Sequence, residues 1–303
     1  MEDKELFEFV GKEELQIKEF VRPSVSYWSD AWRRIKKNRF AMIGLVLIII
    51  LIVFAIIGPI ISPYEYDQTD LNNVYAPISW KHIFGTDELG RDVLTRVLYG
   101  ARISLAVGFV ASFLNLIIGV IYGGISGYLG GRVDNIMMRI VDILYSVPIL
   151  LIVILLMVVL RPGLTNVFIA LGIAYWVGMA RIVRGQVLSL KEQEFTLAAK
   201  ALGADRRRIL LKHLIPNTIG PIIITATLLI PDAIFFESFL SFIGLGVSAP
   251  MASWGVLASD GVRAFRSHPN LFLVPSLFIC ITMLSFNFLG DGLRDSLDPR
   301  LRK

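Results

Sequence analysis

The sequence predicts an all-α, polytopic membrane protein with six transmembrane helices. Of its 303 residues, 55% are hydrophobic and 18% are charged, whereas a soluble domain carries about 25% charged residues. The mean hydropathy is +0.66. This composition excludes a soluble globular enzyme and a disordered chain, and the single cysteine, Cys280, excludes a disulfide scaffold.

Six runs without Asp, Glu, Lys or Arg, each 18 to 29 residues long, are the second observation behind this fold class. A helix that crosses the hydrocarbon core needs about 20 apolar residues, whereas a strand of an outer-membrane barrel has about 10 residues of alternating polarity. The runs therefore predict helical spans. They cover 40–64, 103–131, 143–160, 162–180, 213–231 and 267–290.

The distribution of basic residues predicts the topology. Short cytoplasmic loops are rich in Lys and Arg, and 23 of the 30 basic residues lie in segments 1–39, 132–142, 181–212 and 291–303. We therefore expect both termini in the cytoplasm and a multi-pass chain in the cytoplasmic (inner) membrane. The net charge of +5 indicates topology and attraction to lipid headgroups, and not nucleic-acid binding.

The first hundred residues are expected to form three parts. Residues 1–39 would be a cytoplasmic tail that ends in a helix lying in the headgroup layer, because Trp28 and Trp32 share one helical face among basic residues. The first transmembrane helix is predicted at 40–62. An extracytoplasmic segment is predicted at 63–102.

A five-helix core is predicted for residues 103–290. A lead-in helix from Val93 is expected to run into the second span, with Thr86 or Asp87 as its cap. In this span four glycines recur at every fourth residue, which places them on one face where a neighbouring helix can approach closely. They are Gly119, Gly123, Gly127 and Gly131.

Residues 233–259 are predicted to form a re-entrant or surface-lying element on the external side. The stretch is rich in glycine and serine, and broken backbone is tolerated at membrane depth only where protein or water covers it. A seventh span is the alternative, and it would place the tail 291–303 outside. Its candidate functional residues are Asp232, Glu237, Gly244 and Gly246.

The sequence contains no signature of catalysis. A GxxxxGK[ST] phosphate loop is absent, so the chain should not hydrolyse nucleotide by itself. His82, His213 and His268 are far apart and no HExxH occurs, so neither a metal site nor a cofactor is expected. No predicted span carries a charged residue at its centre, as an ion-coupled carrier would need. A non-catalytic subunit is therefore predicted.

The predicted cytoplasmic loop 181–217 is the most informative segment. Glu194 to Leu202 is rich in helix formers, Gly203 can adopt the left-handed conformation that ends such a helix, and Asp205 can cap the next one. Three arginines crowd the positive end of that second helix, where the dipole disfavours cations. We expect lipid headgroups or an acidic partner to receive them; they are Arg206, Arg207 and Arg208.

This loop resembles the EAA loop of binding-protein-dependent ABC importers, whose pattern is Glu-Ala-Ala, three residues, Gly, nine residues, Ile-x-Leu-Pro. Four positions match: Ala198, Ala199, Gly203 and Pro216. Three positions depart from it, with Leu197 for the glutamate, His213 for the isoleucine and Ile215 for the leucine. Glu194 lies three residues before Leu197 and offers a nearby charge.

The whole chain is similar to the C-type permease subunit of oligopeptide and dipeptide importers. The similarity runs from Trp32-Arg-Arg-Ile-Lys-Lys-Asn-Arg to Leu297-Asp-Pro-Arg-Leu. A second signature precedes the second span, and its residues are Gly85, Thr86, Asp87, Gly90, Arg91 and Asp92. Two signatures in this order in a six-span chain make the resemblance specific.

The resemblance implies a type I ABC importer permease fold and a set of partners. A related B-type permease would complete a heterodimer, and two cytoplasmic ATPase subunits would bind ATP and magnesium. The EAA-like loop would insert into a groove on an ATPase subunit. An extracytoplasmic solute-binding protein would meet the external element 233–259, which would act as a gate. Peptides are the implied substrate, with oligosaccharides or nickel chelates as alternatives. A stand-alone secondary carrier and a non-transporting receptor subunit are the rivals from other classes.

Overall fold

The structure is a computed structural model and describes residues 27–297, so predictions for the acidic tail and for the last six residues lie outside it. A π-helical turn, Ile209–Leu214, joins two of its short helices. In chain order the α-helices are α1 Tyr27–Lys37, α2 Arg39–Ile61, α3 Val93–Leu129, α4 Gly131–Ser146, α5 Ile149–Leu160, α6 Leu164–Lys191, α7 Glu194–Ala201, α8 Arg206–Arg208, α9 Ile215–Asn217, α10 Ile219–Phe242, α11 Trp254–Arg263 and α12 Asn270–Leu297.

Within residues 27–297, five helices are long and apolar enough to cross a membrane: α2, α3, α6, α10 and α12. A sixth span exists if α4 and α5 count as one, although they meet at an angle of 85°. The bend lies at Pro148, because proline lacks an N–H and disfavours helical backbone in the residue before it. Val147 accordingly has φ −94° and ψ 130°. The third predicted span, 143–160, is therefore not one straight helix.

The glycine stripe on α3 packs against α6. A Cβ on Gly119 would lie 2.5 Å from the Met179 side chain, and Cβ atoms on Gly123 and Gly127 would press on backbone carbonyls of α6. The packing prediction is thus confirmed for these three positions. Gly131 is the exception, because it begins α4 with φ +56° and an added Cβ would meet nothing within 4 Å.

Helix α10 extends beyond the end that the sequence predicts for the fifth span. The prediction placed that end at residue 231, because Asp232 and Glu237 interrupt the uncharged run. The helix instead continues through Pro231 to Phe242, since Glu237 is buried among polar partners and needs no water. The predicted element 233–259 is thus the last part of α10, an irregular loop, and the start of α11.

Helix α1 lies against the end of α12. The Tyr27 hydroxyl donates to the Leu297 carbonyl at 3.2 Å, and Ile35 is buried. Trp28 and Trp32 are about half exposed, as expected for side chains that reach into a headgroup layer. The placement of this helix in the headgroup layer stays a prediction.

The segments that connect the spans gather at two ends of the bundle. At one end, which we call the signature end, the Gly163 N–H donates to the Gly246 carbonyl at 2.9 Å, and the Asn270 amide donates to the Phe84 carbonyl at 2.8 Å. At the other, the loop end, Lys191 Nζ donates to a carbonyl at the end of α3. Among residues 27–297, the segments that the Lys and Arg counts assign to the cytoplasmic side lie at the loop end. The segments that the counts assign to the external side lie at the signature end.

Candidate functional site

The segment between α6 and α10 folds as two helical pieces that meet at Gly203. Gly203 has φ +80°, and the Ala204 N–H donates to the Ala199 carbonyl at 3.0 Å, which is the hydrogen bond of a Schellman helix end. The Asp205 carboxylate accepts from the Arg208 N–H at 3.2 Å. Both the predicted helix end and the predicted cap are confirmed.

Helix α7 has one anchored face and one exposed face. The buried Thr196 hydroxyl donates to the Leu190 carbonyl at 2.8 Å, and Ala199 is buried beside it. On the other side, Leu197 is 51% exposed and Leu202 is 88% exposed. Large exposed apolar side chains at a loop tip are typical of a contact surface. Leu197, which replaces the EAA glutamate, therefore belongs to the face that a partner can reach.

The remaining predicted residues of this loop lie mostly on its surface. Glu194, Ala198 and Pro216 are exposed. The three arginines occupy the turn directly after Asp205 and are exposed as well. The loop is thus a projecting element, as predicted, although its first part, 181–191, belongs to α6.

One apolar cluster ties this loop to three long helices. Because protein interiors are close-packed and transmit strain, a displacement of α7 must also displace the helices to which the cluster belongs. Lys191 Nζ adds a hydrogen bond of 2.6 Å to the Tyr128 carbonyl. The buried members of the cluster are Tyr128 of α3, Met179, Val183 and Val187 of α6, Ala199 of α7, Ile209 and Leu214 of the π-helical turn, and Ile222 of α10.

Sequence reasoning missed an ion pair near the loop end. Arg184 of α6 donates to the Asp134 carboxylate of α4 through Nε at 2.6 Å and Nη2 at 2.5 Å. The Ser126 hydroxyl of α3 donates to the same carboxylate at 2.5 Å. Two-pronged arginine–carboxylate pairs are among the stronger polar contacts in proteins. The partners are 50 positions apart, so no spacing pattern connects them.

At the signature end, the signature residues form a tight turn around Asp87. Its carboxylate accepts from Arg91 Nε at 2.7 Å and from Arg96 Nη1 at 2.5 Å. Gly85 and Gly90 have φ of +77° and +71°, a region that glycine enters without steric cost. The turn therefore needs these residue types for its own geometry.

The residue that caps α3 differs from the prediction. Asp92, directly before the helix, accepts from the Thr95 N–H at 2.8 Å, and His82 Nδ1 lies 3.0 Å from the same carboxylate. Thr86 instead bonds to the backbone of the preceding segment, donating to the Asn73 carbonyl. The prediction of Thr86 or Asp87 as the cap is wrong, because a cap must immediately precede the first helical residue.

Helix α11 is held to this turn through Arg96. Arg96 Nη1 lies 3.8 Å from the Asp260 carboxylate. Burial raises the pKa of the Asp260 carboxyl, and the guanidinium of Arg96 opposes that shift. The turn, α3 and α11 thus share one charged contact.

Glu237 is fully buried and links three helices. Its carboxylate accepts from the Ser104 hydroxyl of α3 at 3.0 Å and from the Ser241 hydroxyl of α10 at 2.8 Å. Ser104 Oγ in turn accepts from the Trp254 N–H of α11 at 3.2 Å. Burial excludes direct contact between Glu237 and a binding protein, which corrects one part of the gate prediction.

The other three candidate gate residues differ from one another. Asp232 is exposed on α10. Gly244 is exposed with φ +81°, and an added Cβ would meet nothing within 4 Å. Gly246 is buried, where an added Cβ would press on Ser241. A role for these residues in closing the pathway stays a prediction.

Comparison with known proteins defines the class of this chain. Residues 115–303 match the family of binding-protein-dependent transport system inner membrane components. Residues 26–77 match the N-terminal transmembrane domain of oligopeptide transport permease C. The bundle with its projecting loop is thus a permease subunit of a binding-protein-dependent transport system.

Individual relatives narrow the family further. The chain is 56% identical to the dipeptide transport system permease protein DppC of Bacillus subtilis (strain 168), over 93% of this chain and 88% of that protein. It is 53% identical to the oligopeptide transport system permease protein OppC of the same organism, over 99% and 98%. OppC of Escherichia coli (strain K12) is 46% identical over 91% and 92%. The chain belongs to the permease C subunits of oligopeptide and dipeptide ABC transport systems.

A solved structure supports the fold. A chain of the inward-facing MetNI methionine ABC transporter matches with a TM-score of 0.54, covering 67% of this chain and 96% of that chain at 18% identity. The predicted type I ABC importer permease fold is confirmed.

Proposed function

We propose that this permease subunit carries oligopeptides or dipeptides into the cell as part of an ATP-driven importer. The names of the relatives support this substrate class. The observation that carries the mechanism is the α7 loop, whose exposed apolar face is joined through one packed cluster to α3, α6 and α10. A loop built in this way can pass motion from a partner into the membrane helices.

The proposed partners follow from the two ends of the bundle. Two ATPase subunits bind ATP and magnesium, and one of them docks on the exposed face of α7 around Leu197 and Leu202. A solute-binding protein approaches the signature end, and a B-type permease pairs with the chain in the membrane. The chain itself contributes no catalytic residue to ATP hydrolysis.

The proposed orientation places the loop end in the cytoplasm. Its support is the excess of Lys and Arg in the segments that gather there. Single cysteines at Ser189 and Ser248, both exposed and at opposite ends, test this in a Cys280→Ser background. An impermeant thiol reagent should label position 248 and spare position 189 in intact cells. The reverse pattern would overturn the orientation.

Reconstituted transport tests the function. The complete complex is placed in proteoliposomes with ATP inside and binding protein outside, and uptake of a labelled dipeptide and a labelled oligopeptide is measured. Uptake should require both ATP and binding protein, and unlabelled oligosaccharide or nickel chelate should not compete. Peptide uptake without ATP would indicate a secondary carrier. An absence of peptide uptake, together with ATP-dependent uptake of a labelled oligosaccharide or nickel chelate, would reject the substrate class.

A further inference from the structure

A groove at the loop end has no role in the proposed transport mechanism. It opens between the last turns of α3 and the segment formed by α8 and the π-helical turn, with a volume of about 370 Å³. Ligand sites in proteins commonly enclose about 300–1,000 Å³. Its walls are apolar, with Ile121 and Ile125 on one side and Leu210 and Leu211 on the other.

The groove runs along a membrane-spanning helix and is open to its surroundings. Ile121 is 58% exposed and Leu211 is 55% exposed. At 1.5 Å per residue, the lining stretch of α3 from Val120 to Leu129 is roughly 14 Å long, close to half of a hydrocarbon core about 30 Å thick. A channel of this length and polarity fits one acyl chain.

Two cations lie beside the groove. Arg206 and Arg207 line it with the apolar stems of their side chains, and neither pairs with a carboxylate among residues 27–297. Two arginines of α6 differ in this respect, because Arg181 pairs with Asp142 and Arg184 with Asp134. Basic residues at the membrane surface attract anionic lipids. An apolar channel with two guanidinium groups beside it is complementary to a ligand with an apolar tail in the channel and an anionic head outside it.

We propose that this groove binds one anionic phospholipid, with an acyl chain along α3 and the headgroup phosphate on Arg206 and Arg207. This lipid belongs to the inner leaflet, an assignment that rests on the proposed orientation of the loop end toward the cytoplasm. A lipid in this position braces α8 against α3, directly beside the Gly203 corner. The seating of the projecting loop then depends on the anionic lipid content of the membrane.

Native mass spectrometry of the complete detergent-solubilised complex measures this binding. Phosphatidylglycerol and phosphatidylcholine with identical acyl chains are the two probes. The wild-type complex should retain one tightly bound phosphatidylglycerol and no phosphatidylcholine at the same concentration. The double variant Arg206→Gln/Arg207→Gln should weaken that binding about 30-fold. This factor corresponds to the combined free energy expected for two basic residues that attract an anionic lipid.

Two further variants separate the groove from general charge. Arg208→Gln/Lys212→Gln removes the same charge from residues that do not line the groove, and it should leave binding unchanged. Ile125→Trp fills the channel while keeping both arginines, and it should also weaken binding. The intact mass reports assembly of each variant complex, so loss of lipid is not confused with misfolding.

Three results would overturn the proposal. They are equal binding of the two lipids, equal loss in both double variants, and a cysteine at position 125 that crosslinks to the B-type permease in every complex. The last result would mean that a protein partner fills the groove. Lipid retention does not depend on ATP, so these results remain distinct from a failure of the coupling role of α7.

Discussion

Replacement of Gly203 by valine is expected to uncouple transport while leaving the bundle folded. An added Cβ at this position would meet nothing within 4 Å, so the cost is conformational and not one of packing. At φ +80° a β-branched residue is strained by about 1–3 kcal/mol. Because about 1.4 kcal/mol is a factor of ten in an equilibrium constant, the ratio of native to displaced corner should fall about 5- to 150-fold. The strain can be relieved if α7 swings out and withdraws Ala199 from the cluster, which leaves the long helices packed.

The assay compares three variants in the reconstituted complex. Uptake and substrate-stimulated ATP hydrolysis should fall together in Gly203→Val, by at most the factor given above. Gly203→Asn should retain most activity, because asparagine tolerates the left-handed region better than other residues with a Cβ. Gly185→Ala in α6 is the matched control, since an added Cβ there also meets nothing within 4 Å and its φ is not positive; it should behave as wild type.

Two outcomes would refute this reasoning. Wild-type uptake by Gly203→Val, with the ATPase subunits bound normally, would show that the corner does not set the coupling geometry. Failure of the variant to assemble with its partner permease would show that the bundle depends on this corner for folding. The expected result is a complex that assembles with its partner permease but has a weakened contact with the ATPase subunits.

Three further pairs of variants test the packing of the bundle. Gly123→Leu should lower the melting temperature of the complex by overpacking α3 against α6, at a cost of about 1–3 kcal/mol, whereas Gly178→Leu should not, because its Cβ would meet nothing within 4 Å. Gly246→Leu should impair uptake, and Gly244→Asn should not, because only Gly246 is buried; equal uptake would reject the distinction. Glu237→Leu leaves buried hydroxyls without their acceptor, at about 1–3 kcal/mol each, and should destabilise more than Glu237→Gln; equal melting temperatures would contradict the network.

The features that the sequence predicted correctly depend on local chemistry. Gly203 ends α7 and Asp205 caps the next helix because left-handed backbone and capping depend only on neighbouring residues. The stripe of Gly119, Gly123 and Gly127 is equally local, since positions four apart share one helix face. Such rules need no knowledge of which helices meet.

The predictions that failed depend on contacts between distant residues. The pattern of uncharged runs cannot reveal that the helix continues past Glu237. One of the residues that donate to its carboxylate, Ser104, is 133 positions away in the sequence. The sequence shows a proline at position 148 but not the angle between α4 and α5, because hydropathy measures polarity and not the direction of a helix. Asp134 and Arg184 likewise become a pair only when α4 packs on α6.

Helix α3 connects the two ends of the molecule. Its 37 residues correspond to about 56 Å of helix, well beyond a hydrocarbon core of about 30 Å. Asp92 and Arg96 fix one end in the signature turn, and Tyr128 fixes the other in the cluster beneath α7. Between them, α3 and α6 pack at backbone distance around Gly123, so we expect the two helices to move together. In the proposed mechanism, motion that starts at α7 reaches the signature turn through this pair of helices and needs no charged relay inside the membrane.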